Sequence, residues 1–88
     1  MKHPKKLDGL ELDVLAKQLS NLSYDSLCDF LTHLSDELYV QYRGDMAKGR
    51  GKLANNLLRA IEHIEEARYN IESAWKICAP YQNESESK

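Results

Sequence analysis

Leu53-Ala-Asn-Asn-Leu57-Leu-Arg-Ala60-Ile-Glu-His-Ile64-Glu-Glu-Ala67-Arg-Tyr-Asn-Ile71-Glu-Ser-Ala74-Trp-Lys-Ile-Cys78 is the stretch that decides the fold. Leu53, Leu57, Ala60, Ile64, Ala67, Ile71, Ala74 and Cys78 alternate spacings of four and three without a break. That is a heptad seam, the pattern of a long helix that buries one stripe against another helix. One row of the seam is Leu53, Ala60, Ala67, Ala74, and small side chains every seventh residue allow a partner helix to come close. Leu58, Ile61 and Trp75 form a second ridge beside it.

Working outward, Asp45 reads as the N-cap of this helix, and Ala79 before Pro80 reads as its end, because proline disfavours the helical region for the residue ahead of it. Either the helix runs over 46–79 and tolerates Gly49 and Gly51, each at a cost of about 1 kcal/mol, or 44–51 is a loop; the capping chemistry of Asp45 favours the early start. Upstream, Ser23 reads as a cap with a hydrophobic staple between Leu22 and Leu27, and the stripe Leu27, Leu31, Leu34, Leu38 follows. This predicts a helix over 24–43, ended by Gly44. Asp8, with Glu11 three residues later, reads as a capping box for a first helix over 9–20 carrying Leu12, Leu15 and Leu19. Residues 1–6 are basic and 82–88 (QNESESK) carry no apolar anchor, so both ends are expected to be unfolded around a single domain, 7–81.

Composition agrees with helix. Thirteen Leu stand against four Ile, two Val and one Thr in a chain of 88 residues. The fold class is then all-α: an elongated three-helix bundle with one long C-terminal helix. At 1.5 Å per residue that helix spans about 50 Å, whereas a compact chain of this size has a radius of gyration of about 12 Å. So thin a bundle leaves little core per residue, and a homodimer completing a larger bundle is the expected remedy.

Charge is segregated along the chain. Residues 7–42 are acidic, 43–61 basic and 62–88 acidic, summing to −2. Acidic helix 2 beside basic helix 3, of its own chain or a dimer mate, would set register on the rim. Arg43, Lys48, Arg50, Lys52 and Arg59 form the one candidate anion patch, and the alternative function is binding of nucleic acid or another polyanion there. Net acidity and a pI near 5.9 weigh against it. Gly44 and Gly49 have the spacing of a phosphate loop, but Arg50 and Gly51 stand where Lys and Ser or Thr are required.

Asp25-Ser26-Leu27 is similar to the phosphopantetheine attachment motif of acyl carrier proteins. The likeness stops at three residues, and Ser26 reads more simply as part of a helix start. His33 with Asp29 and Glu37, and His63 with Glu66, have helical spacing for metal ligands but read as solvated pairs, so no metal or cofactor is expected. Cys28 and Cys78 read as small apolar fillers, and nothing in sequence near them would activate a thiolate. The basic start lacks an apolar run behind it, and no apolar stretch reaches membrane length, so the cytoplasm is the expected compartment.

No catalytic constellation emerges. The reading is a non-enzymatic interaction or scaffold module acting through Leu53, Leu57, Ala60, Ile64, Ala67, Ile71, Ala74 and Trp75.

Overall fold

A computed structural model describes residues 3–85, with side chains described through Pro80. Its element order is α1 (Leu12–Ser20), α2 (Tyr24–Ala47) and α3 (Gly51–Ser85). The all-α, elongated architecture expected from the heptad pattern is present. The Cα radius of gyration is 16.2 Å and the principal extents are 53 × 29 × 14 Å. The packed pair is α2 and α3, which run antiparallel as a hairpin; α1 makes no extended contact with either.

The hairpin is closed by chain reversal at 48–50, and its backbone hydrogen bonds explain why the helix boundaries differ from those predicted. Gly49 has φ +78°, its N–H donates to the Met46 carbonyl at 3.1 Å, and the Arg50 N–H donates to the Asp45 carbonyl at 2.8 Å. These are the two bonds of a Schellman motif with glycine in the left-handed position. Gly49, not Gly44, therefore ends α2, and Gly44 sits inside the last turn. Asp45 is not the cap of α3. It belongs to α2, and its Oδ1 lies 3.5 Å from an Arg50 guanidinium nitrogen across the turn. The Arg50 carbonyl accepts from the Ala54 N–H at 2.9 Å, so α3 starts at Gly51, five residues later than expected.

Two other boundaries move. Asp8 (φ +51°) and Gly9 (φ +77°) are both left-handed, and the Leu10 N–H donates to the Leu7 carbonyl at 2.8 Å. That is the Asp-Gly reversal of a tight turn, so Asp8 caps nothing and α1 begins at Leu12 behind Glu11. Before it, Lys6 Nζ and Glu11 Oε2 are 3.0 Å apart, and His3 lies near the hairpin turn. At the other end α3 continues through Pro80 to Ser85 instead of stopping at 79. Proline removes the one intrahelical bond to the Lys76 carbonyl, and that costs least where the surroundings face solvent, as exposed Lys76, Ile77 and Pro80 do. Of the predicted polar tail, 86–88 lie outside the described residues.

Ser23 precedes α2 as predicted, but its hydroxyl does not cap a backbone N–H. It donates to the Asp25 carboxylate and lies 3.0 Å from Ser26 Oγ, while the Asp25 carboxylate accepts from the Ser26 N–H at 2.9 Å. Ser26 thus belongs to a helix-start network.

Gly49→Ala places a Cβ on a left-handed residue and should lower stability by about 1–2 kcal/mol. Gly44→Ala replaces a helical glycine with nothing within 4 Å of the new Cβ and should raise it by about 0.5–1 kcal/mol. Thermal melts of the two variants against the parent check both signs.

Candidate functional site

The antiparallel contact can be placed from three neighbours. The Cys28 thiol donates to the Arg68 carbonyl at 3.5 Å. Asp25 and Cys28 share a cleft with Arg68, Glu72 and Trp75, while Gln41 shares another with Leu53 and Leu57. On α3 the row facing α2 is Ala54, Ile61, Arg68 and Trp75, one position beyond the predicted row. Ala54 is fully buried and Ile61 is 8% exposed; Arg68 and Trp75 are half-buried. On α2 the facing row is Cys28, Ser35 and Tyr42.

This offset distributes the other side chains over two faces. Both helices are right-handed and they run antiparallel, so the residues just before each contact position fall on the same side of the hairpin. Those residues are Leu27, Leu34 and Gln41 on α2, and Leu53, Ala60, Ala67 and Ala74 on α3. The residues just after are Asp29, Asp36 and Arg43 on α2, with Asn55, Glu62, Tyr69 and Lys76 on α3. One face is therefore apolar and the other polar. The two clefts agree: Gln41, Leu53 and Leu57 line one on the apolar side, and Asp29, Thr32 and Glu72 line one on the polar side.

The apolar face is open. Leu53 is 48% exposed and Phe30, beside Leu27 and Leu34, is 37% exposed. Ala60 and Ala67 are exposed, whereas Leu57, Ile64 and Ile71 are half-buried between the contact and the face, as are Ala74 on the face and Trp75 in the contact. The predicted seam residues thus divide. Trp75 belongs to the α2 contact, and Leu53, Ala60 and Ala67 look outward. The signal that the contact row lay one residue later was hidden by Arg68, a charge amid Ala54, Ile61 and Trp75.

Arg68 holds its place through carboxylates of its own helix. Its Nε is 3.3 Å from Glu65 Oε1, and a terminal nitrogen is 3.1 Å from Glu72 Oε1. The hydrogen bond that Arg68 donates to Glu65 leads the interactions that raise the guanidinium pKa further. Opposite, burial first and Glu72 next push the Cys28 thiol above its usual range. Ser35, 2% exposed, is the buried polar residue between the helices, and its Oγ has no hydrogen-bond partner.

The basic residues gather only partly. Lys48 and Arg50 line an open groove of about 640 Å³ with His3, Gln41, Gly44, Asp45, Leu53 and Leu57. Arg43, Lys52 and Arg59 are exposed outside it. Asp45, 16% exposed in its side chain, lies within the groove and engages Arg50, which reduces its attraction for an anion. No ion pair among the described residues joins α2 to α3, so the acidic-to-basic pairing expected between these helices within the chain is not made. The antiparallel register instead brings Asp36 and Glu37 near the level of Glu62. His63 Nδ1 lies 3.6 Å from Glu66, both well exposed. Among the described residues no cluster of His, Cys, Asp and Glu could hold a metal, and no helix is long and apolar enough to cross a membrane.

No family model, curated protein or solved structure matches the chain.

Two expectations follow from the contact. Ser35→Ala removes a desolvated hydroxyl that gains nothing and should raise the unfolding free energy by about 1 kcal/mol, read from urea denaturation. The Cys28 thiol, with its pKa raised, carries less thiolate at neutral pH than an ordinary cysteine. In a Cys28-only variant (Cys78→Ser), its reaction with a disulfide reagent should be slow near pH 7.5 and rise along a curve displaced to higher pH.

Proposed function

We propose that this chain is a non-catalytic helical interaction module that self-associates through the apolar face of its α2–α3 hairpin. The observation that carries the reading is that Phe30, Leu53, Ala60 and Ala67 are exposed on one side of the two helices, beside half-buried Leu34 and with His3 at the Leu53 end. Area supports it. The accessible surface is 7163 Å². A compact monomer of this mass exposes about 5,300 Å². Part of the excess is the overhang of α3 beyond α2, yet the difference is roughly twice the 800 Å² that one partner commonly covers in a stable complex. The interior is correspondingly slight: the buried apolar residues among those described are Ala54 and Ile61. Small residues at Ala60 and Ala67 allow a second helix to approach closely.

Sedimentation equilibrium at micromolar concentration should give more than the monomer mass of 10.1 kDa. Ala67→Glu puts a carboxylate in the middle of the face without touching the α2 contact, and should weaken association at least tenfold, about 1.4 kcal/mol. A wild-type chain that remains monomeric sinks the reading.

Lys48 and Arg50 in one groove, with Arg43 and Lys52 exposed near it and Arg59 further along α3, favour a second reading, polyanion binding. It requires steep loss of affinity with salt and weakening by Lys48→Gln with Lys52→Gln, measured on a fluorescent oligonucleotide. Absence of binding at low salt removes it.

A further inference from the structure

The hairpin is a bar with opposite charge at its two ends. Around the turn, Arg43, Lys48, Arg50, Lys52 and Arg59 stand against Asp45. Toward the open end, Asp25 and Asp29 of α2 lie beside Glu62, Glu65, Glu66 and Glu72 of α3, against Arg68 and Lys76, while Asp36 and Glu37 stand at the middle, level with Ala60. The closed end is thus +4 and the open end −4. Among the described residues this polarity is unanswered: the ion pairs of α3 are between neighbours on that helix, and none includes Arg43, Lys48, Lys52 or Arg59. Hairpin connectivity forces the result, because it folds the basic middle of the sequence onto itself and the two acidic flanks onto each other.

We infer that the occupant of the apolar face is a second copy of this chain laid antiparallel to the first, the basic closed end of each hairpin resting on the acidic open end of the other. The inference rests on the self-association reading and adds its orientation. A two-fold axis perpendicular to the bar, through the middle of the face near Ala60 and Ile64, lays apolar face on apolar face and matches both ends at once. A parallel pairing buries the same area but sets +4 on +4 and −4 on −4, a repulsion spread over ends much wider than the Debye length of about 8 Å. Of the charged residues bordering the apolar face, Lys52 and Arg59 lie toward the closed end, and Glu66 lies toward the open end on the same edge of α3. The antiparallel product is a four-helix bundle built from two hairpins, with α1 of each chain left outside the contact.

Sedimentation equilibrium of the full chain at two salt concentrations, with two sets of exposed-residue variants, tests this. The antiparallel dimer should weaken several-fold between 50 and 500 mM NaCl, values chosen to span strong and weak screening. Lys52→Glu with Arg59→Glu removes the positive charge of the closed end and should weaken the dimer at least tenfold in low salt. Adding Glu66→Lys to the same chain reverses the sign of the charge along that whole edge of α3, so that opposite charges meet there again, and should restore part of the loss. A parallel dimer gives the opposite signs: it tightens with salt and tightens with the first variant. That outcome, or a dimer indifferent to all of these changes, overturns the orientation and leaves self-association standing. A monomer under every condition overturns both. In that case Leu15→Ser with Leu19→Ser, read by dye binding to exposed apolar surface, reveals whether α1 of the same chain covers the face. Far-UV circular dichroism of each variant confirms that its helices are intact.

Discussion

The antiparallel contact between α2 and α3 is the constraint on which the rest depends. It is made by two rows of small or mixed residues, Cys28, Ser35 and Tyr42 against Ala54, Ile61, Arg68 and Trp75, and it is closed at one end by the left-handed Gly49. Gly49 and Arg50 complete the hydrogen bonds that α2 leaves open, so the reversal takes few residues and the helices are forced side by side. A hairpin of two helices can bury only one stripe of each. Its buried residues are accordingly few, Ser35, Ala54 and Ile61 among those described, and the other large apolar side chains of both helices are at most half-buried.

A displacement of one residue along α3 turns a side chain by about 100°. The strict heptad row of alanines beginning at Leu53 is therefore not the row that meets α2; the next one is, although it contains Arg68. The arginine is tolerated because Glu65 and Glu72 neutralise it from within the helix and it keeps 28% of its side chain in water. The consequence is a chain whose most regular apolar row is turned outward on one face, while Asp29, Asp36 and Glu62 are turned to the other. Ser35 adds a second cost to the contact, a buried hydroxyl with no partner, in the same stretch.

Much of this was legible in the residues. The helical class, the elongated form, the long third helix and the Ser23 start follow from spacing and capping chemistry. The errors were local and share one cause, since turn chemistry competes with capping patterns that use the same residues. Asp8 and Asp45 both looked like caps. Asp8 belongs to an Asp-Gly turn whose dipeptide was visible, and Asp45 was captured by a longer α2 because Gly49 offered the better terminus. Pro80 marked an end that an exposed helix did not observe. The site was legible only in part, because periodicity gives the rows of a helix without saying which row its neighbour takes.

The sequence by itself determined that this protein is helical, that a heptad row runs the length of α3, and that charge alternates acidic, basic, acidic along the chain. Those are properties of residue order, fixed by the 3.6-residue period and by side-chain chemistry. Only the tertiary structure decided that the alanine row faces away from α2, that the apolar flanks of both helices share one side, and that alternating charge becomes a bar with a positive and a negative end. Each of these depends on the register and direction of one helix against another. That register was set by the turn at Gly49 and by the fit of Ala54 and Ile61 against α2, long-range facts that no window of sequence contains.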